Sequence, residues 1–242
     1  MPGPRVDIVT IFPELVEHFL KGSLLGQARR DGVVDVRVSD LRAYATDRQR
    51  SVDDGPYGGG DGMVLKCEPA VAAVEALAAP GARVYALGPR GRLFCQSLAA
   101  ELAGERQIIL LCGRYAGFDE RVYAETGAEE LSIGDYVISG GEAAALVVTE
   151  AVTRLVPGVV GNPASPQADS WSGDLLEHPI YTRPRAFRGR RVPDVLLSGN
   201  HARIERFRRE ESLRLTRRRR PELLDGASLS DEDRKFLQEL EE

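Results

Sequence analysis

Residues 107–112 read Gln-Ile-Ile-Leu-Leu-Cys and run straight into Gly113. An apolar run without alternation describes a strand covered on both faces, and such strands belong to parallel sheets with helices on each side. The surrounding chain repeats the unit. Val6 to Phe12 is strand-like and leads into Pro13-Glu14, a favourable helix start. Leu24 to Arg30 reads as a short helix ended by Asp31-Gly32, and Val33 to Ser39 as a further strand. A helix over Glu68 to Ala79 stops at Pro80-Gly81; then come a strand over Arg83 to Leu87, a tight turn at Gly88-Pro89-Arg90-Gly91 and a helix over Ser97 to Ala103. Alternating strands and helices predict an α/β fold with a doubly wound parallel sheet. In such sheets ligands bind beyond the carboxyl ends of the strands.

Three glycine-bearing turns fall where that rule looks for a ligand. They are Gly88 to Gly91, the stretch Gly113-Arg114-Tyr115-Ala116-Gly117-Phe118, and Ser132-Ile-Gly-Asp-Tyr-Val-Ile-Ser-Gly-Gly141. The last reads as a strand-like core broken by Gly134 and closed by Gly140 and Gly141. It serves either a flat ligand or the start of the apolar helix expected over Glu142 to Leu155. Asp53 to Gly62 is a fourth glycine-rich loop, with five glycines in its last eight residues. Its bare amides and Tyr57 suit a phosphate or a stacked base, or the loop is a lid without contacts. It lacks the Lys-Ser or Lys-Thr ending of a P-loop.

The chain of 242 residues has a net charge of -5, yet residues 183–220 hold fourteen arginines against four acids. That segment is therefore +10 and the remainder -15. Clustered arginine is the footprint of a polyanion partner, or else a solvated helix face. Three widely spaced cysteines, Cys67, Cys95 and Cys112, fit neither a disulfide framework nor a zinc knuckle and read as buried small apolar groups. No apolar run reaches membrane-spanning length and no secretory signal opens the chain, so a cytoplasmic location is expected.

After the Glu142 helix, Val156 to Trp171 loses all periodicity, with Pro157, Pro163 and Pro166, and ends in Asp169-Ser170-Trp171. A linker of this length is functional or disordered. Ser198 or Asn200 is placed to cap a following helix, and Pro221 and Ser230 mark two more helix starts, giving a small helical domain at the tail.

Taken together, these residues resemble the bacterial tRNA (guanine-N1)-methyltransferases of the SPOUT superfamily. The matching motifs are Ile11-Phe12-Pro13-Glu14, the stretch from Val52 to Gly60, Gly113-Arg114-Tyr115, Ser132 to Val137, Ser139-Gly140-Gly141-Glu142, Tyr181-Thr182-Arg183-Pro184 and Val195 to His201. The resemblance implies methyl transfer from S-adenosylmethionine to N1 of the guanine beside the anticodon, tRNA position 37. It also implies a parallel sheet with a deep trefoil knot, a helical C-terminal domain, a homodimer and a magnesium requirement. On this reading residues 1–160 form the cofactor-binding and catalytic domain, 161–175 the linker and 176–242 the basic tRNA-binding domain. The cofactor site becomes Leu87, Gly113, Tyr115, Ile133, Gly134, Asp135, Tyr136, Val137, Ile138, Gly140 and Gly141. Asp169 becomes the general base and Arg154 its partner; by sequence alone a linker aspartate capping a turn is the preferred reading of Asp169. Tyr57, Gly58, Gly59, Ser170, Arg183 and His201 become the contacts to RNA.

At one position the chain departs from the family's pattern: a glutamate usually stands between the Tyr and Gly of the Gly-Arg-Tyr motif, and here it is Ala116. Other readings use fewer of these features. A non-catalytic RNA-binding module leaves the glycine turns unexplained. A dinucleotide-dependent oxidoreductase needs a G-x-G-x-x-G after a strand, which is missing.

Overall fold

The computed structural model describes residues 3–161, 170–171 and 174–240. The chain divides into two compact units, Met1–Pro163 and Ala164–Glu242.

The first unit is built on a five-stranded sheet of β1 (Arg5–Thr10), β2 (Asp35–Asp40), β5 (Arg83–Leu93), β6 (Gln107–Cys112) and β7 (Glu129–Ser132). The spatial order is β2-β1-β6-β5-β7 and every pairing is parallel. Every residue of central β6 is buried, as its unbroken apolar run requires. Its side chains alternate between two cores. Ile108, Leu110 and Cys112 pack with Val16 of α1 (Pro13–Phe19), Leu25 of α2 (Ser23–Arg30), Leu98 of α4 (Gln96–Ala103) and Val148 of α6 (Glu142–Thr153). Ile109 and Leu111 face Ala70 and Ala73 of α3 (Cys67–Leu77) and Val122 of α5 (Arg121–Thr126). The expected α/β class and parallel sheet are both found.

A short antiparallel pair, β3 (Asp53–Asp54) and β4 (Val64–Leu65), presents the glycine loop between its strands. Gly58, Gly59, Gly60 and Gly62 all have positive φ, yet a Cβ on any of them would meet nothing within 4 Å. Backbone conformation, not crowding, calls for glycine there.

Three local expectations are corrected. The turn at Gly88–Gly91 is a bulge inside β5: Leu87 and Arg92 both pair with Leu131, and the residues between them loop out. Close approach drives it, since a Cβ on Gly91 would stand 2.2 Å from the Glu130 carbonyl carbon. The strand-like reading of Ser132 to Gly141 also fails beyond Ser132, where β7 ends. Gly134 at φ +152° takes the chain out of strand geometry. Finally, only Cys112 of the three cysteines is buried; Cys67 is half-buried and Cys95 exposed. Cys95 precedes α4 with its Sγ 3.0 Å from Ser97 Oγ, and that hydrogen bond lowers its thiol pKa.

The second unit contains an antiparallel ribbon (Ala186–Phe187 with Arg190–Arg191), a helix over His201–Arg219 and a helix over Asp231–Glu239. Asn200, not Ser198, caps the longer helix, its side chain accepting from the Arg203 amide at 3.2 Å. Ser230 and Asp233 form a full capping box on the shorter one. Arg209 reaches Asp233 at 2.9 Å and Arg217 donates to the Leu237 carbonyl at 2.7 Å, tying the two helices together.

Candidate active site

The bulge of β5 and the carboxyl-terminal ends of β6 and β7 surround a cavity of about 320 Å³. Its wall comes from the three turns singled out in the sequence: Leu87 to Arg90, Gly113 to Phe118, and Ser132 to Gly141 apart from Asp135. Glycine lets these turns touch. The Gly141 amide donates to the Gly113 carbonyl at 2.7 Å, and Arg114 and Gly140 form an antiparallel bridge. A Cβ on Gly141 would lie 2.8 Å from Cys112 Cα, and one on Gly140 2.1 Å from Arg114 Nε. Gly113 is pressed against the Leu87 carbonyl, 3.1 Å from where its Cβ would be. Tyr115 adopts a left-handed conformation at φ +58°.

One buried carboxylate holds two of the turns to the sheet. Glu142, at the start of α6, accepts from Thr10 Oγ1 at 2.7 Å and from Arg114 Nε at 3.0 Å. Thr10 in turn accepts from the Phe12 amide, and the Arg114 guanidinium lies 4.6 Å from the Phe12 ring centre. Glu142 therefore has a structural role here. On the opposite wall Glu130 accepts from the Arg90 amide at 3.1 Å and pairs with its guanidinium at 3.0 Å. That pairing raises the Arg90 pKa, while burial raises that of the Tyr123 phenol nearby. The cavity wall thus carries its charges in pairs and leaves apolar surface and main chain to meet a ligand. Burial, with Glu142 close by, also holds the Cys112 thiol protonated beneath it.

Ten of the eleven residues expected at the cofactor line this cavity: Leu87, Gly113, Tyr115, Ile133, Gly134, Tyr136, Val137, Ile138, Gly140 and Gly141. Asp135 does not; it is exposed on the same loop. Arg90, Tyr123 and Glu130 also line it and were missed, because nothing local in the sequence joins a residue of the β5 bulge to one on β7. A second, larger cavity of about 1060 Å³ lies over the glycine loop and includes Tyr57, Lys66, Asp119 and Arg121. It shares Ala116 and Phe118 with the first. Gly58 and Gly59 belong to the exposed loop without lining it.

Arg154 follows the last residue of α6 as its C-cap and is half-buried. Asp169 lies outside the described residues. Ser170 is described, its Oγ accepting from the Glu177 amide at 2.9 Å. Arg183 and His201 are exposed in the second unit. Among the described residues no group of three or more His, Cys, Asp or Glu is placed to hold a metal ion.

The family described as tRNA (Guanine-1)-methyltransferase TrmD matches residues 4–226. The chain belongs to this family. It is 52% identical over 240 residues to the tRNA (guanine-N(1)-)-methyltransferase of Geobacter metallireducens, covering 98% of both chains. The protein of the same name from Moorella thermoacetica is 52% identical, with 98% of this chain and 96% of that one covered. The one from an Anaeromyxobacter species is 53% identical over 237 residues, covering 96% and 95%. The cavity's volume lies at the lower end of the roughly 300–1,000 Å³ usual for small-molecule sites.

Proposed function

We propose that the protein transfers the methyl group of S-adenosylmethionine to N1 of guanine at tRNA position 37. The observation that carries this is the convergence of three strand-end turns on one cavity in a chain of the tRNA (guanine-N1)-methyltransferase family. Leu87, Gly113, Tyr115, Ile133, Gly134, Tyr136, Val137, Ile138, Gly140 and Gly141 would hold the cofactor, with main-chain groups reading the adenine edge. S-adenosylmethionine supplies a methyl group activated on a sulfonium sulfur. Guanine N1 is a poor nucleophile until its proton leaves, so the chain must supply a base and a positive partner. Asp169 would take the N1 proton. Arg154 would donate to guanine O6 as negative charge grows there, compensating for a carboxylate whose ordinary pKa of about 3.9 makes it a weak base. Tyr57, Gly58, Gly59 and Ser170 would enclose a guanine turned out of its stack, and Arg183 and His201 would meet the RNA outside it.

The finer architecture belongs to the same reading. The bridge between Arg114 and Gly140, with the Gly141 amide on Gly113, supports a chain threaded into a trefoil knot around the cofactor. Tyr136, Val137 and Ile138 rim the cavity while exposed, Val137 at 84%, which supports a homodimer in which a second copy covers them. Residues 1–160 would be the catalytic domain, 161–175 the linker and 176–242 the tRNA-binding domain. No helix among the described residues is long and apolar enough to cross a membrane, in keeping with work on tRNA in the cytoplasm.

The test is incubation with S-adenosylmethionine carrying a labelled methyl and with tRNA transcripts differing only at positions 36 and 37. Label is expected only where guanine stands at 37, and Asp169→Ala is expected to abolish transfer while S-adenosylmethionine still binds. Turnover by that variant would remove Asp169 from the chemistry.

A further inference from the structure

We propose that the Ala186–Phe187/Arg190–Arg191 ribbon is the element that grips RNA, its arginines meeting phosphates and Phe187 stacking on an unpaired base. The inference rests on the tRNA reading and narrows it from a whole arginine-rich segment to one hairpin.

Pairing distinguishes the ribbon from much of the long helix, on which Arg203, Arg218 and Arg219 are also exposed without an ion pair among the described residues. On the long helix and just after it, Arg206 pairs with Glu210 at 2.9 Å, Arg208 with Glu205 at 2.9 Å and Arg209 with Asp233 at 2.9 Å. Arg214 pairs with Glu211, and Arg220 with Glu222. The ribbon differs. Arg183, Arg185, Arg188, Arg190 and Arg191 are all exposed, and among the described residues none of them forms an ion pair. No acid occurs between Glu177 and Asp194. An arginine already held by a carboxylate must surrender that partner to bind phosphate, whereas these need only shed water and counterions.

The ribbon is also shaped in advance. Its two-residue turn, Arg188-Gly189, has φ of +50° and +79°, the primed turn whose twist matches a hairpin. The Val192 amide donates to the Arg185 carbonyl at 2.9 Å and extends the pairing. Phe187 faces Arg190 across the ribbon, and alternation puts Arg185 on the same face. Arg188 stands 5.2 Å from the Phe187 ring centre. Phe187, 62% exposed, with one guanidinium near its ring and two more arginines on its face of the ribbon, is a stacking platform beside phosphate ligands. Flat bases beside phosphates are the chemistry of nucleic acid, which favours RNA over an acidic protein.

The experiment measures binding of tRNA to the full chain at several salt concentrations, with methyl transfer followed on the same RNA. Replacing Arg185, Arg188, Arg190 and Arg191 together by Gln should weaken binding at least about 30-fold. It should also reduce the slope of log K against log salt by about 3, at roughly 0.7–0.9 per lost phosphate contact. Phe187→Leu should weaken binding about 5-fold with the slope unchanged, because stacking releases no counterions. Arg206→Gln with Arg208→Gln should stay within about 2-fold of the parent, their charges being already compensated. Four lysines at the ribbon positions should keep the salt slope, which separates lost charge from lost folding. Unchanged affinity and slope in the Gln variant would overturn the proposal and leave the ribbon to an acidic protein partner. RNA binding that depends on the ribbon, in a chain that methylates no tRNA, would sustain the ribbon and remove the catalytic reading instead.

Discussion

Glu142 accepts from a threonine on β1 and an arginine on the turn after β6, so its removal is felt in two places at once. Glu142→Gln keeps the shape but takes the countercharge from Arg114, and a cost of about 1–3 kcal/mol is expected for a buried pair broken on one side. Urea unfolding of the variant would measure it. Glycines divide by the same reasoning about neighbours. Gly141→Ala would set a methyl 2.8 Å from Cys112 Cα, which is backbone and cannot yield. A loss of about 2–3 kcal/mol is expected, together with loss of S-adenosylmethionine binding by calorimetry. Gly55→Ala meets nothing within 4 Å and lacks a positive φ, so its denaturation midpoint should hold or rise by up to about 1 kcal/mol of stability. Asp119 accepts three hydrogen bonds from Arg121, and chiefly the guanidinium holds its carboxyl at a pKa of about 2. A depressed pKa adds stability above the unfolded value of about 4, lost as pH falls toward about 2. Solvent screening keeps this below about 1 kcal/mol. An acid titration of stability should therefore be shallower for Asp119→Asn over that window.

At the scale of elements, β6 was legible because its signal is local: an apolar run with no alternation admits few structures. Gln107, at its first position, shows what such a run hides. Its amide donates to Asp7 at 2.6 Å and to the Leu77 carbonyl at 2.9 Å, and accepts from the Ala79 amide at 2.8 Å, joining the end of α3 to the base of the sheet. Gln107→Leu would strand these groups, and a fall in thermal stability equivalent to about 2–3 kcal/mol is expected from calorimetry. The bulge in β5 was misread as a turn because its cause is Glu130 on another strand, far along the chain. The loop after β7 was misread for a related reason: Tyr136, Val137 and Ile138 have strand-forming side chains, and only the φ of Gly134 reveals that the strand has ended.

For the whole molecule, the cavity at the strand ends was legible further than the chemistry proposed for it. The glycine turns announce close approach, and the parallel sheet says at which end of the strands to look. Which turn packs on which is set by tertiary contacts such as the Arg114–Glu142 pair, whose members are far apart in sequence. The exposed Tyr136–Ile138 rim gives a prediction at this scale. On the proposed homodimer, Val137→Glu should shift the protein to monomer in light scattering and lower S-adenosylmethionine affinity at least about 10-fold, because an apolar interface would reject an unpaired charge.

Ala116 and Phe118 belong to the walls of both cavities in the first unit. A nucleoside-sized hollow and a roomier one are therefore neighbours, and the side chain they share at Ala116 is only a methyl. For inhibitor chemistry this means that one compound can bridge the two. A planar head in the smaller cavity, joined by a short tether to a second ring beside Tyr57, would gain from each half holding the other at high local concentration. Such a compound should compete with both S-adenosylmethionine and RNA, whereas either half alone should compete with only one.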